Sequence, residues 1–332
     1  MQPLPVVNQT ILEPELRIID SQHHLRDRRD SHYMFDDYVQ DVQRGHNIVA
    51  SVYVESMSMI RVDGAELLRP IGEIEFANGV AAVSATGKYG PCRIAAAIVG
   101  YADLRFGDAI AELLDRALAA APDRLRGFRQ CTLEHPDPAV WRYVPHPPEA
   151  GIMSHPQFRD GFKQLAARDL IFDAAVFHHQ LPEITRLADD FPNTTIVLNH
   201  IGQVAGTALK NSDPTQAFAE WRRNIAELAR RPNVMCKVGG MGQPYFGFGF
   251  ELQDRLPTYL ELASAWRPWA EAVIEIFGVQ RCMMESNFPA DRRSCDYVTL
   301  WNALKHIVVQ ASKSEKNALF HDNAARVYRI ET

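Results

Sequence analysis

Eight short apolar runs, at 16–20, 48–54, 93–99, 125–129, 171–177, 195–198, 234–238 and 281–284, punctuate the chain. They are continuous rather than alternating in polarity, as expected for parallel strands buried on both faces. Between them lie stretches with helical spacing of apolar residues, at 35–44, 64–84, 106–120, 158–168, 182–190, 216–230, 256–277 and 294–309, with 317–328 closing the chain. In 106–120, Ile110, Leu113, Leu114 and Leu118 share one helical face, and Pro122 ends the pattern. Eight strand–helix units predict an α/β fold of the (β/α)8 TIM-barrel type. An open doubly wound sheet is the competing arrangement. It normally has fewer strands and a glycine phosphate loop, and no G-x-G-x-x-G or Walker pattern follows any early run. The expected organisation is a lead-in over 1–15 and one barrel domain over 16–332.

Composition narrows the function. The net charge is −6 and no long basic run occurs, which argues against a nucleic-acid partner. The five cysteines (Cys92, Cys131, Cys236, Cys282, Cys295) form no C-x-x-C pair, and Cys236 and Cys282 sit within apolar runs. That usage points to a reducing, cytoplasmic setting rather than a disulfide frame or a thiolate zinc site. The opening residues lack the basic start and apolar core of a signal peptide, and no run is long enough to span a bilayer. The expected partner is a small-molecule substrate, with no membrane partner and a homo-oligomer possible.

Two connections exceed plain turns. Residues 132–156, after strand four, hold Trp141, Tyr143, Pro145, His146, Pro147 and Pro148, and 239–254, after strand seven, read GGMGQPYFGFGFELQD. Long loops at this end of a barrel are usually lids or binding loops, and four aromatics in the second are costly to leave in water.

The strands end in polar residues: Gln22 and His24 after strand one, Glu55 after two, Tyr101 and Asp103 after three, Arg129 on four, His178 and His179 after five, Asn199 and His200 after six, Lys237 on seven, and Glu285, Asn287 and Asp291 after eight. On the first strand, alternation places Asp20, Gln22 and His24 on one face. Each of these residues alone could cap a helix or bridge strands, but their accumulation at one end of a barrel suits attack of water on a carbonyl. That reaction needs a base or metal, an oxyanion donor and a substrate clamp. His24, Glu55, His178 and His200 could hold one divalent ion, zinc or manganese, through mixed nitrogen and oxygen ligands. Arg129 suits two-pronged capture of a carboxylate, and Gln22, Tyr101, His179 and Tyr245 complete the expected substrate contacts.

The strand-one acid and imidazoles, GFRQ, QLPEI, LNHIG, KVGG and SNFPAD together resemble the amidohydrolase superfamily. The likeness is strongest to its lactonases, similar to 2-pyrone-4,6-dicarboxylate lactonase and the sugar-acid lactonases, and covers about residues 16–330. It implies hydrolysis of a cyclic ester or related carboxylic substrate; a decarboxylase branch that depends on a bound ion shares the motifs. Two positions depart from the pattern. The resemblance implies D-x-H-x-H at the first strand, and Gln22 stands for its first imidazole. It implies an aspartate base on the eighth strand, and Asn287 stands there. Weak or absent metal binding is therefore expected, as in members of the lactonase branch that work without an ion. His200, Lys237, Asn287 and Asp291 are the expected catalytic residues, with Asp291 favoured slightly as base over His24 and His200. A metal-dependent decarboxylase and a non-catalytic ligand-binding barrel are the alternatives.

Overall fold

The computed structural model describes residues 9–28, 31–144, 147–207 and 214–331; Pro145 and His146 of the first long loop lie outside them. Eight parallel strands pair in chain order: β1 (Arg17–His23), β2 (Asn47–Val54), β3 (Arg93–Tyr101), β4 (Leu125–Cys131), β5 (Ile171–Ala175), β6 (Ile196–Leu198), β7 (Val234–Val238) and β8 (Cys282–Met284). The ring closes just beyond the strands. The His24 amide donates to the Phe288 carbonyl at 2.8 Å, and the Asn287 amide donates to the Gln22 carbonyl at 2.9 Å. Helices α1 (Phe35–Val42), α2 (Ile71–Ser84), α3 (Ile110–Ala120), α4 (Phe158–Ala166), α5 (Leu181–Asp190), α6 (Pro214–Ala229), α7 (Tyr259–Phe277) and α8 (Tyr297–Ile307) alternate with the strands. This is the (β/α)8 barrel that the run-and-helix rhythm predicts.

Local chemistry explains the boundaries. Thr258 and Glu261 form a reciprocal cap at the start of α7. Helix α8 begins at Tyr297 rather than near Ser294, because the Asp296 carboxylate accepts the Val298 amide at 2.7 Å. A hairpin pairing Arg26–Arg28 with Ser31–Tyr33 has no counterpart in the sequence reading, and a π-helical turn at Ala318–Asp322 interrupts the helix expected over 317–328.

Inside the barrel, strand alternation stacks an apolar layer beneath a polar one. Ile171, Val197, Met235 and Met283 belong to the inner apolar cluster, which Tyr328 and Ile330 plug from below. Two positions on, each of those strands carries Asp173, Asn199, Lys237 or Glu285, all fully buried. The first strand breaks this period. Its pairing with β2 slips between Asp20 and His23, a bulge that re-aims the side chains beyond it. Ile19, before the slip, packs inside with the apolar cluster, whereas Asp20 and His23 both meet Tyr38 on α1, by a 2.9 Å hydrogen bond and a 4.0 Å ring stack. Asp20 does not lie beneath Gln22 and His24, as simple alternation predicts.

Asp20 accepts bonds from the Ser286 amide (2.8 Å), the Ser286 hydroxyl (2.6 Å) and the phenols of Tyr38 and Tyr297. Burial nevertheless raises its pKa from 3.8 to about 6, the bonds from Ser286 and Tyr38 opposing the rise. Between pH about 4 and 6 the folded state then holds a proton that the unfolded chain has released. Stability falls as pH rises through that window, by on the order of 3 kcal/mol. Urea unfolding should show the stability of Asp20→Asn relative to wild type improving by about that amount from pH 4 to pH 7.

Candidate active site

The polar ring centres on Gln22. The Val54 carbonyl, 2.8 Å from His24 Nδ1, can only accept, so Nδ1 carries the hydrogen and Nε2 faces inward bare. His200 Nδ1 lies 2.6 Å from Glu285 Oε1, which turns its Nε2 the same way. The Gln22 side-chain nitrogen sits 3.3 Å from each of these Nε2 atoms. Lys237 Nζ fixes the orientation of the amide, since an ammonium can only donate and it lies 3.0 Å from Gln22 Oε1. Lys237 also meets Asp173 Oδ2 at 2.6 Å, and Asp173 accepts from the Tyr328 hydroxyl and the Asn199 amide. On the other side, Asn287 Nδ2 donates to Asp291 Oδ1 at 2.7 Å, leaving Asn287 Oδ1 3.2 Å from His24 Nε2. Burial, with Arg26 and Arg129 adding to it, pushes the His24 pKa well below its ordinary value and keeps the ring neutral.

Backbone shape supports these side chains. His200 and Asn287 have φ values of +52° and +53°, a region sparsely populated by residues with a side chain and common at functional sites. The glycines of the KVGG strand end and the loop beyond it fit against them. A Cβ on Gly239 would lie 2.4 Å from Glu285 Cγ, one on Gly240 2.3 Å from His200 Nδ1, and one on Gly242 2.7 Å from Asp291 Oδ2. The Gly242 amide donates to that same oxygen at 2.8 Å.

Aromatic rings cover the ring. Phe177 is met edge-on by Tyr245 of one long loop at 5.4 Å and by Trp141 of the other at 5.8 Å. Gln22, Lys237, Glu285 and Asn287 are completely buried beneath this cover.

Residues 19–330, nearly the whole chain, match the amidohydrolase family. The chain belongs to the amidohydrolase family. It is 36% identical to "Uncharacterized protein y4mH" of Sinorhizobium fredii, over 90% of this chain and 86% of the relative. It is 27% identical to an L-fucono-1,5-lactonase of Burkholderia multivorans, over 71% of this chain and 72% of the relative. A crystal structure of a zinc-bound amidohydrolase from Burkholderia multivorans shares the fold with a TM-score of 0.71 at 24% identity, covering 95% of this chain and 99% of that one.

The donor set of this amidohydrolase does not fit a tightly held divalent ion. Among the described residues, no three histidine, cysteine, aspartate or glutamate side chains converge as ligands. Of the expected set, only His24 and His200 meet. Glu55 is paired with Arg129 at 2.7 Å, and His178 lies against the Ala205 amide. The remaining groups around the two imidazoles are the amides of Gln22 and Asn287, backed by an ammonium. They offer no anionic oxygen to the space a cation would occupy.

Other expected residues fall in different places. Arg129 spends its Nε on Glu55 Oε1 and an Nη on the Glu55 carbonyl at 2.8 Å, so its fork turns inward rather than toward the mouth. Lys237 reaches Gln22 and Asp173 rather than open space. Asp291 is fully buried with both oxygens occupied, and burial raises its pKa well above the ordinary value. His179 is exposed and stacks on Phe177 among the cover rings. Tyr245 donates to Gln203, and Tyr101 remains partly exposed beside Asp103. Sequence reasoning missed Asp173, whose signal was a carboxylate inside an apolar run, and Tyr328, which gave none. It also missed Arg26, two residues beyond His24, which carries no strand-end signature.

Gly240→Ala should push His200 off Glu285 and strain a backbone at φ +65°. We expect loss of most turnover and destabilisation of roughly 2 kcal/mol, measured by steady-state kinetics and urea titration. Unchanged activity and stability would show that the loop yields without moving His200.

Proposed function

We propose that this amidohydrolase hydrolyses a lactone, with His200 as base and the Gln22 amide standing where an ion would otherwise be held. The observation that carries the reading is the 2.6 Å contact between His200 Nδ1 and Glu285, with Nε2 aimed into the space shared by Gln22, His24 and Asn287. A carboxylate on one ring nitrogen orients an imidazole and stabilises the imidazolium that forms when the other nitrogen takes a proton. His200 Nε2 removes a proton from water, the water oxygen attacks the lactone carbonyl, and the ring C–O bond breaks. His200 then returns the proton to the departing ring oxygen.

The surroundings support this assignment. His24 Nε2 and Asn287 Oδ1 are both acceptors and face each other at 3.2 Å. The Gln22 side-chain nitrogen lies 3.3 Å from the one and 3.4 Å from the other, so its N–H groups serve these acceptors until water and substrate enter beside His200. The Gln22 N–H groups are the donors for the developing oxyanion, and Lys237, on the amide oxygen, makes them stronger donors. Asp291 is a positioning residue that holds the Asn287 amide in register. The Burkholderia relative named as a lactonase supports the substrate class. A decarboxylase working through a bound ion fits less well, for want of anionic ligands. All five cysteines are free thiols, which supports a cytoplasmic setting; no helix among the described residues is long and apolar enough to cross a membrane.

His200→Gln should lower kcat by roughly 10²–10⁴ on any lactone that wild type turns over, read by proton release in a weakly buffered assay. Asp291→Asn should retain much more. The reverse ranking would move the base to Asp291, and a wild type inert toward a broad lactone panel would support a binding barrel instead.

Protein purified without chelator should contain well under one equivalent of zinc or manganese by elemental analysis. The double variant Gln22→His with Asn287→Asp, which restores an imidazole and a carboxylate, should gain zinc. One tightly held zinc per wild-type chain would overturn the amide-for-ion reading.

A further inference from the structure

Arg26 is a cation near the mouth without a partner among the described residues. It follows His24 by two residues, on the hairpin that leaves β1, and pairs by backbone with Tyr33. Its side chain forms no hydrogen bond or ion pair with any described residue, and its Nε is buried without a partner. The guanidinium is close enough to the site to depress the His24 pKa, after burial itself. Burial, then the charges of Arg28 and Arg129, lower its own pKa to about 10, and Glu55 opposes them. The nearby acid forms no ion pair with it, since Glu55 is held by Arg129 through one carboxylate oxygen and the backbone carbonyl. The next cation on the hairpin, Arg28, is spent on the Ser56 carbonyl. A half-buried guanidinium with free N–H donors is costly unless an anion from outside meets it.

We propose that Arg26 is the residue that recognises the substrate, and that the substrate carries a carboxylate besides the ester to be opened. Resting on the lactonase reading above, this names the substrate class as anionic lactones. The planar fork of arginine matches a carboxylate with two parallel N–H bonds. With Arg129 turned inward on Glu55, Arg26 takes the clamping role that the sequence suggested for Arg129. One end of the substrate is thereby anchored at the rim while its carbonyl lies toward Gln22 and His200. Arg26 acts on binding and orientation, and no proton passes through it.

The test uses the full chain and two probes. The first is glutarate, a dicarboxylate that cannot be hydrolysed, titrated by calorimetry. The second is a matched pair of six-membered lactones, one bearing a ring carboxylate and the other a carboxamide at the same position. Wild type should bind glutarate, and Arg26→Gln should bind it at least tenfold more weakly. For the carboxylate lactone, Arg26→Gln should raise KM about tenfold or more with kcat nearly unchanged, and should leave the carboxamide lactone unaffected. Arg26→Lys should recover part of the loss. Removing an unpaired charge should leave the melting temperature of the ligand-free protein equal or higher, whereas loss of a structural bridge would lower it. Glutarate should raise the wild-type melting temperature and not that of Arg26→Gln. Equal glutarate binding by wild type and Arg26→Gln, equal response of both lactones to the substitution, or a large drop in ligand-free melting temperature would each overturn the proposal. If neither lactone turns over in wild type while glutarate binding still depends on Arg26, the hydrolytic reading fails and the anion site stands.

Discussion

Asp20 is where the barrel's first and last strands are tied together. Four donors from three elements, the amide and hydroxyl of Ser286 and the phenols of Tyr38 and Tyr297, converge on its two oxygens. It can receive them because plain alternation after the inward-facing Ile19 points it outward, toward the helices. The bulge beyond it lets Gln22 and His24 face the polar ring above the apolar floor that holds Ile19. Seam and site are thus one construction: the residues that close the barrel also bring Gln22 beside Asn287.

On that seam the protein has built a cation-binding geometry without cation-binding chemistry. His24 and His200 are oriented as metal-ligating imidazoles are, each with the outer nitrogen engaged by an acceptor and the inner one bare. An amide nitrogen fills the space between them. Lys237 donates to the Gln22 carbonyl and is itself paired with Asp173. The electrostatic demand on this arrangement is lower than on a metal site, since no naked dication must be balanced by buried carboxylates.

Much of this was readable in the chain. Strand–helix rhythm identified the barrel because parallel strands leave continuous apolar runs, and the polar endings of those runs located the mouth. Gln22 and Asn287 stood out as substitutions within a recognisable pattern. Three things were not readable. The bulge was hidden because a register slip depends on what the neighbouring strand presents and leaves no mark in the local sequence. The partners of Arg129 and Asp291 were hidden because the pairing of charges within a ring depends on angles around the barrel axis. Arg26 was passed over because a charged residue in a loop looks solvated until the fold buries its stem.

The aromatic cover has a kinetic consequence. With Phe177, Tyr245 and Trp141 packed against one another and the ring beneath them sealed, the reaction volume is separated from bulk solvent in the resting structure. Each catalytic cycle then includes two passages through that barrier. Opening a lactone creates a carboxylate that the incoming ring did not carry, and that charged product must leave past the same packed rings. Opening of such a cover is a step of the catalytic cycle in its own right. Changes at Trp141 or Tyr245, far from any transferred proton, would therefore alter its throughput by altering how long the chamber stays shut.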